Sequence, residues 1–162
     1  MTALLVALSL SLFAYESDKT TAGVAKSGSV VAYAMNLDRP GRPQCTMPIE
    51  NGALCKSVRR PGKKLSATQA KRLSELLTSR RSYGQPEPKC FIPHHAFVFY
   101  DDQKKVQRQV SVCFMCSNLR ANPPLSGQPK DPSSSALTSK ALNELRGLCR
   151  ELGLPRCDAK RP

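Results

Sequence analysis

The sequence predicts an α+β fold: a small antiparallel sheet that includes a hairpin at 96–112, packed by two helices at about 66–79 and 138–152. Three observations carry that prediction. Ala96 to Tyr100 is dense in aromatic and β-branched residues, Val106 to Val112 alternates apolar with polar, and Asp-Asp-Gln-Lys-Lys between them is turn-compatible. Ser66-Ala-Thr-Gln69 has the form of a capping box, and Ala70, Leu73, Leu76 and Leu77 follow it at helical spacing. Ala141, Leu145, Leu148, Cys149 and Leu152 mark a second helix face, with Gly153 suited to the C′ position and Pro155 stopping continuation.

A chain of 162 residues fits one domain with a core that does not depend on staples. It carries thirteen prolines, no Trp and a formal charge of +13. A polyanionic partner, an anionic envelope surface or nucleic acid, is therefore a candidate.

Residues 1–25 read as a signal peptide and 26–162 as a single α+β domain. Ala3 to Ala14 is an uncharged, Leu-rich run of twelve, ended by Glu16-Ser-Asp-Lys19. It is too short to cross a bilayer as a helix, which takes about twenty residues, and has the length of a secretory h-region. Leu12-Phe-Ala14 and Gly23-Val-Ala25 are candidate cleavage triplets. The expected location is periplasmic or secreted, with no transmembrane helix in the mature chain.

Ser29 to Met35 reads as a strand, and Arg39-Pro-Gly-Arg-Pro43 as a breaker cluster. Cys45 and Cys55 lie ten apart around Pro48 and Asn51-Gly52, either as a disulfide-closed loop or as two unrelated thiols. Arg59-Arg-Pro-Gly-Lys-Lys64 reads as a turn. Between Lys56 and Arg81 lie nine cations (Lys56, Arg59, Arg60, Lys63, Lys64, Lys71, Arg72, Arg80 and Arg81) and one acid, Glu75. This is the candidate polyanion-binding region, weighed against a solvated helix face with basic turns. No aromatic interleaves these cations, so single-strand stacking is not expected there. Tyr83-Gly84 and Gln85-Pro-Glu-Pro88 read as a turn, and 117–135 as a long loop. Cys149 is either a small buried hydrophobe or bonded to Cys157, stapling the tail to the helix. The tail from Asp158 on is expected to fray.

The chemistry concentrates in Cys90 to Cys116, which holds three of the seven cysteines and both histidines. Hairpin registers consistent with the turn give paired positions summing to about 205–207, which sets Cys113 opposite Ile92 to His94 and Cys90 opposite Met115 to Ser117. Three chemistries follow. The first is a structural disulfide of Cys90 with Cys113 or Cys116; the odd cysteine count leaves one thiol free or paired between chains. The second is a zinc site of Cys90, His94 or His95, Cys113 and Cys116, the C-x-x-C half having knuckle spacing. The third is a redox or hydrolytic thiol, Cys113 or Cys116 with His94 as base. The C-x-x-C is followed by a turn rather than a helix and no orienting group is visible, so a non-catalytic domain is expected and no catalytic residue is assigned. The histidines also have a plain reading, as hydrogen-bonded residues beside a proline turn.

The string Cys90-Phe-Ile-Pro-His-His-Ala96, with Phe99-Tyr-Asp101 and Val112-Cys-Phe-Met-Cys116, resembles a family of small uncharacterised, apparently exported bacterial proteins. Their shared pattern is C-F-x-P-H-H, an aromatic strand, a turn and C-F-x-C. The Leu65 to Gly84 region is similar too, and the resemblance covers roughly residues 65 to 155. It implies export and a site at the cysteine block, and no reaction.

Overall fold

A computed structural model describes residues 28–37 and 45–159. The signal-peptide reading of 1–25, the breaker cluster at 39–43 and residues 160–162 lie outside the described residues. The elements run β1 (Gly28–Ala34), β2 (Ile49–Glu50), β3 (Ala53–Leu54), β4 (Lys63–Lys64), α1 (Ala67–Thr78), β5 (Tyr83–Gln85), β6 (His95–Asp101), β7 (Val106–Cys113), β8 (Asn118–Asn122), β9 (Ala136–Leu137) and α2 (Ser139–Glu151). Five strands form one antiparallel sheet in the order β4-β1-β6-β7-β8; β2 pairs with β3, and β5 with β9. This is the predicted α+β class.

Strand parity builds the core. Phe97 and Phe99 of β6, Val30 and Ala32 of β1, and Val110 and Val112 of β7 pack in one cluster with the leucine faces of α1 and α2. Ala96 and Val98 point the other way, with Tyr33 of β1 and Met35 just beyond it, into a second cluster containing Cys45 and Val58. The sheet is thus covered on both faces, by the two helices on one and by the 45–58 loop on the other. Double coverage explains why the last five residues of β7 are all buried although the strand alternates apolar with polar in sequence.

The hairpin closes through Asp102-Gln103-Lys104. Lys104 N–H donates to Asp101 C=O (3.0 Å), Asp101 N–H donates to Lys105 C=O (2.9 Å), and Lys104 takes φ 60°. This is the three-residue connection in which a turn is followed by a left-handed residue. Phe99 pairs with Arg108 but Tyr100 with Val106, so Gln107 is an extra residue in β7. The bulge shifts the phase. Alternation alone places Val106 with Arg108, Val110 and Val112; in the structure it lies opposite Tyr100 and is 41% exposed.

The helices follow their signals. Gln69 N–H donates to Ser66 Oγ (3.2 Å) and Ser66 N–H to Gln69 Oε1 (3.0 Å), completing the capping box of α1. Ser66→Ala should cost about 1 kcal/mol, read as a lower urea midpoint at unchanged slope. Beyond α2, Gly153 has φ 64°, Gly153 N–H donates to Arg150 C=O (2.9 Å), and Leu154 N–H donates to Cys149 C=O (3.1 Å). That Schellman ending turns the chain back toward the sheet.

Three expectations need correction. Residues 117–135 are not all loop: β8 pairs Leu119 with Val112 and Ala121 with Val110, and Leu119 is buried. Its Asn and Arg residues lower its β-propensity, but the outer strand of a sheet needs only its inward residues to be apolar. Tyr83 to Gln85 pairs with Ala136 and Leu137 instead of turning. Lys63 and Lys64 form the other edge strand; lysines on an edge discourage further pairing.

Candidate functional site

Six of the seven cysteines pair: Cys45–Cys55, Cys90–Cys116 and Cys149–Cys157, with Cα–Cα separations of 6.5, 6.1 and 5.6 Å. These separations fall in the range a disulfide spans. Each bond fastens a segment with little regular structure. Cys45–Cys55 closes the loop covering the second sheet face, Cys90–Cys116 ties the approach to β6 onto the turn after β7, and Cys149–Cys157 ties the tail to α2. Cys113 is free and 0% exposed, and Cys116 N–H donates to its Sγ at 3.3 Å. Of the two partners open to Cys90, the turn after β7 presents Cys116. Replacing Cys45 and Cys55 together by serine should cost about 2.7 kcal/mol from the loop of unfolded chain released, read as a lower urea midpoint.

The two histidines part company. His95 shares the parity of Phe97 and Phe99, so it points toward the helices. Its ring packs on Phe114 with centroids 4.7 Å apart, and its Nε2–H donates to Pro155 C=O at 2.6 Å. The other nitrogen, Nδ1, is buried without a hydrogen-bond partner. His94 precedes it in the chain; its N–H donates to Val112 C=O (3.2 Å) and its carbonyl accepts from Met35 N–H (2.9 Å). Burial lowers the His95 pKa to about 4, against a smaller upward pull from the Pro155 carbonyl; the neighbouring His94 lowers it further. Burial also lowers that of His94, with Arg156 adding to the effect.

The metal set expected from sequence, Cys90, His94 or His95, Cys113 and Cys116, is not gathered. Among the described residues, the groups of three whose donor atoms lie within 4.8 Å of one another are His95, Cys149 and Cys157, and Cys45, Glu50 and Cys55. Parity explains the division: His95 pairs with Val112 and shares its face, toward the helices, while Cys113, one residue on, takes the opposite face, and Cys116 is bonded to Cys90. The His95 grouping had a sequence signal. Cys149 lies on the apolar face of its helix, and His95 lies in phase with the aromatic residues that face would cover.

A pH dependence follows from His95. Its folded pKa lies below the unfolded value, so the unfolded chain binds the extra proton between pH 6.5 and about 4. Stability is full above about pH 6.5 and falls as pH drops through that window, by up to about 3 kcal/mol. Urea midpoints measured at pH 7 and pH 4.5 should show this fall, and His95→Gln should reduce it. An unchanged pH difference in the variant would assign the fall to other groups, such as His94 or the carboxylates.

Sequence reasoning missed Asn36. This buried residue at the end of β1, with φ 51°, donates from Nδ2 to Cys45 C=O (2.7 Å) and Pro93 C=O (2.9 Å) and accepts from Cys45 N–H at Oδ1 (3.1 Å). It joins three segments at the histidine end of the sheet. Asn suits a left-handed position, and its amide both donates and accepts.

The nine cations of 56–81 are all exposed, on the covering loop, the link from it to β4, β4 itself, α1 and the 3-10 turn Arg80–Ser82. Arg72 pairs with Glu151 of α2 at 2.7 Å, and Lys71 with Glu75 at 3.9 Å. Compared with family models, curated proteins and solved structures, the chain gives no match.

Proposed function

We propose that this protein is an exported, envelope-associated domain without catalytic activity, held in shape by three structural disulfides. The pairing of six of its seven cysteines carries that reading. Such pairs form and persist in oxidising compartments and are rare elsewhere. The twelve-residue apolar run at 3–14 and the likeness to the C-F-x-P-H-H proteins support it further. Among the described residues, no helix is long and apolar enough to cross a membrane.

The test is the intact mass of protein made with its own leader, denatured and alkylated with and without reductant. The expected mature chain begins after one of the two triplets; one cysteine alkylates before reduction and all seven after it. A full-length mass with seven alkylated cysteines before reduction would overturn the reading.

A zinc-binding reading is favoured by the grouping of His95, Cys149 and Cys157. Two thiolates and an imidazole suit Zn2+, and a ring nitrogen held by a backbone carbonyl is a common support for a metal-bound histidine. Binding needs the Cys149–Cys157 bond open. Native mass of reduced protein with added Zn2+ should then show one retained ion, lost in His95→Gln; no retained ion in the reduced wild type would remove this reading.

A further inference from the structure

We infer that Cys90, Cys113 and Cys116 form a thiol–disulfide exchange site, in which buried Cys113 releases Cys90 as a surface thiol that takes up external disulfides. Four observations carry it. Cys113 is the free cysteine and is 0% exposed. Cys116, three residues on, is bonded to Cys90 and donates its backbone N–H to Cys113 Sγ at 3.3 Å. Residues 114–117 are a turn, which holds the two ends of Cys113-x-x-Cys116 close. Cys90 is exposed while Cys116 is 2% exposed, so the bond has one accessible end and one buried beside the free thiol.

The chemistry balances within the chain. The Cys113 thiolate attacks Cys116 Sγ, the Cys113–Cys116 bond forms, the Cys90–Cys116 bond breaks, and Cys90 leaves as the thiolate. The proton lost by Cys113 is matched by the one Cys90 takes up, and no oxidant or reductant is consumed. An external disulfide R–S–S–R then reacts with Cys90, forming Cys90–S–S–R and releasing R–S⁻.

The approach segment is held without its disulfide. Glu87 N–H donates to Pro132 C=O at 2.7 Å, and the Glu87 carboxylate accepts from Asn118 Nδ2 at 3.2 Å and Ser135 Oγ at 3.3 Å. At the other end, Pro93 C=O accepts from Asn36 at 2.9 Å. Between these anchors, the Arg120 guanidinium lies 4.5 Å over the Phe91 ring. Exchange therefore frees Cys90 while the sheet stays intact.

This inference rests on the disulfide reading above, whose count of one thiol in denatured protein tests that reading separately. The native full-length domain is treated with N-ethylmaleimide or oxidised glutathione, without reductant, and its peptides are mapped unreduced. The expected result is modification at Cys90 in chains that carry a Cys113–Cys116 bond. Cys113→Ala should lose that modification, and Cys90→Ser should also take no label on the native protein. Modification at Cys113 with Cys90–Cys116 intact, or none before denaturation, overturns the inference in wild-type protein, whatever the variants do.

Discussion

Replacing Phe97 by alanine should cost about 4 kcal/mol, toward the upper end of what truncating one core side chain removes. Phe97 is 0% exposed and sits on the central strand β6, opposite Ala32 of β1 and Val110 of β7. Its ring lies in the cluster that joins the sheet to both helices. Alanine at position 32 leaves room that the ring fills, so truncation opens a cavity between sheet and helices that fixed backbones cannot collapse. A domain of this size is stable by only about 5–15 kcal/mol, so the variant should retain the fold with a much lower urea midpoint. Ile92→Ala is the comparison: Ile92 is 37% exposed, and its loss should stay below about 1 kcal/mol. Similar losses at the two positions would mean that the sheet–helix interface is not the packed core.

The parts of this fold that are legible in the sequence are those with a period or a local cap. The hairpin, both helices and the Gly153 ending each follow from residues close to one another in the chain. The register range is legible too, and it puts Cys90 near Cys116. The bulge is not, because inserting Gln107 leaves the alternation unbroken to the eye while reversing the face of Val106. Nor is the cover on the second face. The 45–58 loop has no apolar period, and it is held by Asn36, by the Cys45–Cys55 bond, and by Gln109, whose Oε1 accepts from Ile49 N–H at 2.8 Å. At the site, the tie from His95 to Pro155 spans 60 residues and depends on a helix ending, which no local pattern reports. The choice of Cys116 over Cys113 as the Cys90 partner turns on the geometry of one turn, which the register range does not resolve.

Replacing Cys90 and Cys116 together by serine should cost about 3.5 kcal/mol, the chain-entropy value for the loop they close. The two cysteines are 26 residues apart, and the segment between them contains the whole β6–β7 hairpin. Unlike Phe97, the bond acts mainly on the unfolded chain, which it keeps from separating the hairpin's ends. The folded state retains the Glu87 and Pro93 hydrogen bonds, so the backbone of the variant should stay native, with hydrogen exchange rising only near residues 88–92. The denaturant slope should rise, because an unfolded chain without the cross-link exposes more surface. Phe97→Ala should leave that slope unchanged, so the two variants separate a folded-state loss from an unfolded-state gain in freedom. A loss below about 1 kcal/mol for the serine pair, at unchanged slope, would mean that this bond contributes little to holding the fold. The case for Cys90–Cys116 as a structural staple would then fail, while its role as the accessible end of an exchange site would still stand on the labelling result.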